Sequence, residues 1–175
     1  MMVTIRRIGS GEAGLLARLL NRDGTLRREL GFPPDTGITP GEFEKKIRDW
    51  ETVQDSVCYC ILENEKPVGM ISLSHIDLKR ARARAGYWIG SRYRNRGICS
   101  AAFRLIMDVA RGIGLASLSA TVAAGNGASR AIWEREGARG ELKADGKMSY
   151  TLDLMRNGTS MKDEAASGMK HHRSG

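Results

Sequence analysis

The segment best suited to chemistry in this sequence runs from Gly86 to Ala102 and reads GYWIGSRYRNRGICSAA. A strand-like run is followed by a short basic turn, after which Gly97 begins an amphipathic helical stretch. The first N–H groups of a helix lack intrahelical acceptors and carry partial positive charge, so they bind phosphate, and a glycine lets the ligand approach the backbone. Arg94 and Arg96 add donors that match phosphate oxygens. The segment predicts a site for a phosphate-bearing ligand; an exposed basic turn that only caps the helix is the alternative.

The basic residues of the chain are concentrated in and beside this segment. The chain has 28 lysines and arginines against 20 acidic residues, which gives a formal net charge of +8. Residues 77–96 contain seven basic residues and one acidic residue, and therefore carry a net charge of +6. Such a cluster predicts a polyanionic partner, which can be a nucleic acid, an acidic surface or a phosphate-bearing cofactor.

Several other classes of protein lack their signatures here. The chain has no G-x-x-x-x-G-K-[ST] loop, and Gly112-Ile113-Gly114 lacks the third glycine of a dinucleotide-binding fingerprint. The three cysteines cannot all pair and have no zinc-type spacing, so we expect neither a disulfide scaffold nor a metal site. No apolar run has the roughly 18 residues of a membrane helix, and the N-terminus lacks a secretory signal. We therefore expect a cytoplasmic protein with no membrane partner.

The elements that would position the basic turn follow from hydrophobic periodicity. The 175 residues suffice for one domain, and 41% of them are hydrophobic and 27% charged, as in soluble globular proteins. The predicted strands comprise residues 2–8, 57–62, 68–75, 84–89, 117–122 and 147–154, and the predicted helices start at Ser10 or Gly11, Pro40, Gly97 and Asn126. This order predicts an α/β fold whose mixed sheet has an antiparallel front half and a strand–helix–strand unit behind it.

The basic turn resembles a signature of one enzyme family. Residues 94–99, RNRGIC, are similar to the Q/R-x-x-G-x-G/A signature of the GNAT superfamily of acetyl-CoA-dependent N-acetyltransferases, and the GYWIG strand before them is most similar to its RimJ/RimL-like branch. Residues 126–138, NGASRAIWEREGA, resemble that branch's N-x-x-S…G-F segment. The resemblance covers residues 3–155. It implies a GNAT-like α/β fold with a mixed, mostly antiparallel sheet, flanking helices and splayed central strands, in a domain of residues 1–155. Residues 156–175 have no hydrophobic period and few apolar side chains, which predicts a disordered tail.

The resemblance also implies which residues bind acetyl-CoA. The turn around Gly97 would hold the pyrophosphate, and the strand before it would hydrogen-bond the pantetheine arm. The N–H near Ile89 would point at the thioester carbonyl and stabilise the oxyanion, while Asn126 would contact the arm from the other side of the splayed strands. The implied cofactor-binding residues are Tyr87, Trp88, Ile89, Arg94, Arg96, Gly97, Ile98, Cys99, Asn126 and Ser129.

The chain departs from the family at positions that move protons. Trp133 stands where many members have a tyrosine that protonates the departing thiolate, and Arg84 and Ala85 stand where an acidic residue often serves as base. Three side chains are candidates for catalytic roles: His75 as base, Ser119 as a residue that orients a water molecule, and Tyr150 as acid. A surface histidine and a small core serine are the alternatives for the first two.

The implied reaction is transfer of an acetyl group from acetyl-CoA to a primary amine by direct attack in a ternary complex, with no metal. The acceptor would be a protein N-terminus or a small-molecule amine, and the few acidic residues near the motif disfavour a polycation. Two alternatives remain: an acetyl-CoA-binding sensor without catalysis, and a module that binds RNA or a ribosomal surface through its arginines. We expect a monomer or a homodimer, which would contact nucleic acid only through a ribosomal substrate.

Overall fold

The structure, a computed structural model, describes residues 1–156 of the chain. The disordered tail predicted for residues 156–175 lies, apart from Arg156, outside the described residues. No helix in the described part of the chain is long and apolar enough to cross a membrane. The same residues also hold no group of three or more histidine, cysteine, aspartate and glutamate side chains that could bind a metal ion.

A seven-stranded sheet forms the centre of the described fold. Its strands are β1 (Val3–Arg7), β2 (Val57–Glu63), β3 (Lys66–Asp77), β4 (Arg82–Ile89), β5 (Ser117–Ala123), β6 (Arg139–Leu142) and β7 (Lys147–Asp153). Their order across the sheet is β1-β2-β3-β4-β5-β7-β6. Every neighbouring pair is antiparallel except β4 and β5, which are parallel. The predicted mixed, mostly antiparallel sheet is therefore confirmed.

The edge strand β6 is not predicted from the sequence. Its four residues, RGEL, include a glycine and two charged side chains, so they show no apolar alternation. All four are exposed, and their backbone pairs with β7 from Arg139↔Thr151 to Leu142↔Met148. Backbone hydrogen bonding rather than side-chain burial defines this strand, which is why hydrophobic periodicity does not detect it.

The two central strands separate over their C-terminal halves. β4 and β5 pair only from Arg82↔Ser117 to Arg84↔Ser119. Beyond that point β4 stays paired with β3 as far as Ile89, and β5 stays paired with β7 as far as Ala123. The central strands are splayed, as predicted, and a V-shaped gap opens between them.

Five α-helices flank the sheet within residues 1–156. They are α1 (Ser10–Arg22), α2 (Gly24–Glu29), α3 (Pro40–Val53), α4 (Ile98–Gly112) and α5 (Gly127–Arg135). The sequence predicts all except α2, whose single buried residue, Leu26, gives no helical period. The start of α3 is as predicted: the Thr39 hydroxyl accepts from the N–H of Glu42, and the Glu42 carboxylate accepts from the N–H of Thr39.

The helices form one layer on each face of the sheet. α4 and α5 cover one face, where Phe103 and Trp133 are fully buried. α1, α2 and α3 cover the other face only as far as β4, so that Thr121 of β5 and Thr151 of β7 are exposed beyond it. One side of the splayed strands is therefore covered by α4 and α5, and the other is partly open.

Cys58 and Cys60 are buried on β2, beneath α1 and α3. Burial raises the pKa of both thiols to about 12. Both thiols are therefore protonated at neutral pH and act as small apolar side chains.

Candidate active site

The basic turn joins β4 to α4 and ends at an uncapped helix N-terminus. A 3₁₀ turn at Ser91–Tyr93 leads into Arg94, and Gly97 immediately precedes α4. Gly97 has a φ of +76°, a left-handed conformation that strains other residues, and a Cβ atom there would meet no protein atom within 4 Å. No side chain of the described residues caps α4, and its first turn contains no acidic residue. The first N–H groups of α4 therefore remain available to an anion.

A cavity of about 940 Å³, here called the turn cavity, lies between this turn, β4 and the start of α5. Its lining includes all ten residues that the resemblance implies for cofactor binding: Tyr87, Trp88, Ile89, Arg94, Arg96, Gly97, Ile98, Cys99, Asn126 and Ser129. α2 contributes Leu26 and Glu29 to the wall. The fold thus brings the ten candidates together around one space that is large enough for a cofactor.

Arg94 and Arg96 of the turn are held by carboxylates. Arg94 donates two hydrogen bonds to Glu29 of α2, one of them 3.0 Å long from Nη1 to Oε1, and these lower the pKa of Glu29. Arg96 pairs with Glu63 at the end of β2, whose side chain is almost buried. Both guanidinium groups remain partly exposed. The turn is therefore ordered before any ligand binds, and it carries less net charge than its arginines alone suggest.

Asp23 ties the junction of α1 and α2 to the same turn. Its carboxylate accepts hydrogen bonds from the Ser91 N–H at 2.6 Å, the Ser91 hydroxyl at 2.8 Å and the Leu26 N–H at 3.1 Å. Burial acts to raise the pKa of Asp23, but these hydrogen bonds outweigh it and hold the pKa below its usual value. Sequence reasoning missed Asp23, Glu29 and Glu63. Only Asp23 carries a local signal, because an aspartate before Gly24 is typical of a helix start.

A hydrogen bond joins β4 to α5 among the residues that line the turn cavity. The hydroxyls of Tyr87 and Ser129 are 2.6 Å apart. The rings of Tyr87 and Phe103 form an edge-to-face contact, and burial raises the pKa of the Tyr87 hydroxyl. The Asn126 carboxamide oxygen accepts from the Ser129 N–H at 3.2 Å and caps α5, which leaves its NH₂ group to donate. The cavity therefore contains a hydroxyl pair that is protonated at neutral pH.

Trp133 and Tyr150 pack against each other inside the core. Both side chains are fully buried, and their rings stack with centroids 6.1 Å apart. The Tyr150 hydroxyl donates to Glu134 Oε1 at 2.6 Å and accepts from Arg130 Nε at 3.2 Å. Neither Trp133 nor Tyr150 lines the turn cavity. The fold does not bring Tyr150, the candidate acid, to the cofactor-binding candidates.

His75 and Ser119 line a second cavity, of about 790 Å³, at the opposite end of β4. We call it the bulge cavity, because His75 lies in a bulge of β3 between Ser74 and Asp77 and has a φ of +51°. Its other lining residues are Asp55, Ile76, Asp77, Leu78, Lys79, Arg82, Ala83 and Arg84. The two cavities share no lining residue. The fold therefore separates the candidate base and the candidate water-orienting residue from the ten cofactor-binding candidates.

The sequence is similar to those of known acetyltransferases. Residues 3–139 match the family model described as "Acetyltransferase (GNAT) domain". A protein of Bacillus subtilis (strain 168) named ribosomal N-acetyltransferase YdaF is 31% identical over 147 residues, which are 81% of this chain and 80% of that protein.

Solved structures of acetyltransferases have a similar fold. The crystal structure of a "Probable acetyltransferase" has a TM-score of 0.70 at 28% identity, and the match covers 86% of this chain and 92% of that one. A RimL ribosomal L7/L12 α-N-protein acetyltransferase in complex with coenzyme A has a TM-score of 0.73 at 19% identity, over 87% of this chain and 94% of that one. At that identity the second likeness concerns the fold alone.

Proposed function

Because this chain belongs to the GNAT family of acetyltransferases, we propose that it transfers an acetyl group from acetyl-CoA to a primary amine by direct attack in a ternary complex. The observation that carries the proposal is the turn cavity, where Gly97, Arg94 and the uncapped N-terminus of α4 adjoin the free edge of β4. A diphosphate with a long arm needs an anion site that continues into a groove, and this cavity offers both. The acceptor is a protein N-terminus or a small-molecule amine, and the similarity to a protein named as a ribosomal N-acetyltransferase supports the former.

The anion site consists of backbone N–H groups and guanidinium groups. The N–H groups of Ile98, Cys99 and Ser100 precede the first helical hydrogen bond, which runs from the Ala101 N–H to the Gly97 carbonyl, and the dipole of α4 favours negative charge beside them. Arg94 and Arg96 are already held in place by their carboxylate partners, so a diphosphate would meet donors that need little ordering. Since Gly97 has no side chain, a phosphate can approach the backbone at the start of the helix.

The acyl arm fits along the edge of β4 that faces the V-shaped gap. The Gly90 N–H donates to the Val68 carbonyl of β3 at 2.8 Å. Because hydrogen-bonding groups alternate along an antiparallel pair, the N–H of Ile89 faces away from β3 and toward the gap. On the other side of the same strand, the Ala81 carbonyl accepts from the Ser117 N–H at 3.2 Å, which agrees with this alternation. We assign the Ile89 N–H as the donor that stabilises the oxyanion.

The side chains near the arm suggest how protons move. The amine nitrogen bonds to the acetyl carbon as the carbon–sulfur bond breaks, so the amine loses a proton and the thiolate can gain one. The Tyr87–Ser129 hydroxyl pair is our candidate for the proton donor. Because a thiol has a pKa of about 8.5, the thiolate can leave without being protonated. We therefore expect proton donation by the hydroxyl pair to increase the rate without being essential. The lining of the turn cavity contains no histidine, and its one carboxylate, Glu29, is held by Arg94. We therefore assign the amine proton to solvent water.

Thiol release from acetyl-CoA tests this proposal. Purified protein is mixed with acetyl-CoA and a panel of primary amines that includes peptides with a free N-terminus and small-molecule amines, and mass spectrometry locates the acetyl group. An N-acetylated peptide without other amines is the matched control. We expect thiol release that requires a primary amine and an acetylated amine as product. Failure to release thiol with every amine of the panel would contradict the proposal.

A further inference from the structure

The bulge cavity is lined by three cations that form no ion pair with a carboxylate of the described residues. Lys79, Arg82 and Arg84 line it, and within residues 1–156 none of them lies within ion-pair distance of a carboxylate. Arg94 and Arg96, by contrast, are both paired beside the turn cavity. A cluster of unpaired cations in a concave space attracts an anionic ligand. The function proposed above leaves this cluster unused.

Arg84 occupies the point where the V-shaped gap begins. It is the last residue of β4 that pairs with β5, opposite Ser119. Its neighbours Ala83 and Ala85 are buried in the core that α4 forms, so the Arg84 side chain projects from the opposite face of the sheet. There its Nη2 donates to the Thr121 hydroxyl at 3.2 Å, two residues beyond Ser119 on the separated part of β5. The Arg84 guanidinium therefore bridges β4 and β5 at the point where the two strands begin to separate.

The face of the sheet around Arg84 is open and polar. Ser74 of β3 and Ser119 of β5 are its register partners on either side. α1, α2 and α3 cover this face only as far as β4, and Thr121 is exposed beyond it. The turn cavity, which would hold the acetyl donor, is lined by α4, α5 and α2 near the Ile89 end of β4, and it includes neither Arg84 nor Thr121. The uncovered part of this face, around Arg84 and Thr121, is therefore open to an acceptor that reaches the gap.

We propose that the acceptor is a polypeptide N-terminus with acidic residues near its start, whose carboxylates bind Arg84 and then Arg82 and Lys79; this rests on the function proposed above. Arg84 lies five positions before Ile89, roughly 16 Å of strand at about 3.3 Å per residue. A chain extended along β4 with its amine opposite Ile89 therefore places its sixth residue opposite Arg84, and its fourth to sixth side chains lie along the stretch that leads to this guanidinium. A guanidinium donates two parallel hydrogen bonds to a carboxylate, which makes Arg84 a selective partner for such residues.

The charge balance of the bulge cavity favours a few carboxylates over a nucleic acid or a polyamine. Asp55 and Asp77 also line the cavity, so three lysine and arginine side chains face two carboxylates, a formal excess of one positive charge. A phosphate backbone is bound by surfaces with a larger excess of positive charge. A polyamine would meet like charge from Arg84 at the gap. An acidic peptide segment matches the small positive excess.

Acetylation of three matched peptides tests this proposal. All have the same length and begin with serine, and residues four to six are glutamates in the first, glutamines in the second and lysines in the third. We expect kcat/KM for the acidic peptide to exceed the other two by about tenfold or more, as for hydrogen bonds to a charged group. In Arg84→Gln this ratio should fall to near one, and Arg84→Glu should prefer the lysine peptide. Arg22→Gln is the matched control, an exposed arginine of α1 that lines neither cavity, and it should keep the ratio.

Binding of the three peptides, labelled at the C-terminus, to protein saturated with coenzyme A gives a second readout that does not require turnover. Equal kcat/KM and equal affinity for the three peptides would overturn the acidic-acceptor proposal and leave the proposed acetyl transfer standing. The acidic-acceptor proposal would also be overturned if Arg84→Gln kept the wild-type ratio of kcat/KM between the acidic and the other peptides. A preference for free glutamate over every peptide would overturn it as well. Failure of the proposed function looks different, because no amine of any charge would then release thiol.

Discussion

Two pairs of side chains determine what the turn cavity can do. The first, Arg94 with Glu29, holds a guanidinium at the cavity wall. A largely exposed ion pair contributes roughly 0–1 kcal/mol, so a ligand phosphate can share or displace Glu29 at little cost in stability. The second, Tyr87 with Ser129, is the hydroxyl pair that we assign as proton donor, in a position that the buried Trp133 cannot fill.

Replacement of Tyr87 by phenylalanine tests the hydroxyl pair. The variant keeps the ring contact with Phe103 and loses the hydrogen bond to Ser129. We expect kcat to fall about tenfold, less than the roughly hundredfold or more of full general-acid catalysis, with a smaller change in KM for acetyl-CoA. Tyr59→Phe is the control, because Tyr59 lies on β2 and lines neither cavity.

The pH profile gives the same test a second readout. A proton donor must be protonated, and burial raises the pKa of Tyr87 above its usual value of about 10, which extends its protonated range upward. The wild type should therefore keep this contribution to kcat from pH 7 to about 9. An unchanged kcat in Tyr87→Phe across this range would remove the pair from the mechanism.

At the scale of elements, the edge of β4 that faces the gap depends on how closely β3 packs beside it. The closest approach is at Gly69, where a Cβ atom would clash with the Trp88 carbonyl oxygen and lie 3.0 Å from Ile89 Cα. A side chain at Gly69 would therefore push β4 at the residues that we assign to the acyl arm. Gly69 is required by this close approach rather than by its own backbone conformation.

Gly69→Ala should lower the free energy of unfolding by about 2 kcal/mol, because the added methyl group overpacks the sheet. It should also reduce acetyl transfer, since the Ile89 N–H is displaced. Gly41→Ala is the control: Gly41 lies in the first turn of α3 with open space around it, and alanine there should leave stability equal or slightly higher. Urea denaturation measures the free energy of unfolding of both variants. Equal midpoints for the two would contradict the predicted overpacking at Gly69.

The sequence allows prediction of those elements that bury a periodic apolar face. The start of α3 follows from Thr39 and Pro40, and the cofactor-binding candidates follow from a segment that is continuous in the chain. The helix α2 and the strand β6 escape prediction because one has a single buried residue and the other has none. Periodicity reports side-chain burial, and these two elements are held mainly by backbone hydrogen bonds and by their neighbours.

Side-chain partners that are distant in sequence could not be predicted. Arg94 and Glu29 are 65 positions apart, and Arg96 and Glu63 are 33 positions apart. The position of His75 at the bulge cavity could not be predicted either, because the bulge in β3 depends on how this strand pairs with β4. Tertiary packing decides these contacts, and no local pattern in the chain encodes them.

At the scale of the whole molecule, five of the seven basic residues that form one cluster in the sequence divide between two sites. Arg94 and Arg96 are neutralised by carboxylates beside the turn cavity, whereas Lys79, Arg82 and Arg84 line the bulge cavity without such partners. β4 connects the two cavities, one at each end, and the V-shaped gap opens along its length. This arrangement disfavours a continuous basic surface for RNA and suits a donor and an acceptor that meet at the gap.

The most direct test of the central claim is calorimetric titration of acetyl-CoA into three proteins: the wild type, Gly97→Leu and Gly146→Leu. Gly97 and Gly146 both have a positive φ and open space, so leucine imposes a similar strain of roughly 1–2 kcal/mol at each. Gly146 lies between β6 and β7, away from the turn cavity. We predict equal Kd values for the wild type and Gly146→Leu, and a Kd at least about tenfold higher for Gly97→Leu, because its side chain blocks the anion site at α4. Equal affinity in all three proteins, or no binding by the wild type, would contradict the assignment of the turn cavity to acetyl-CoA.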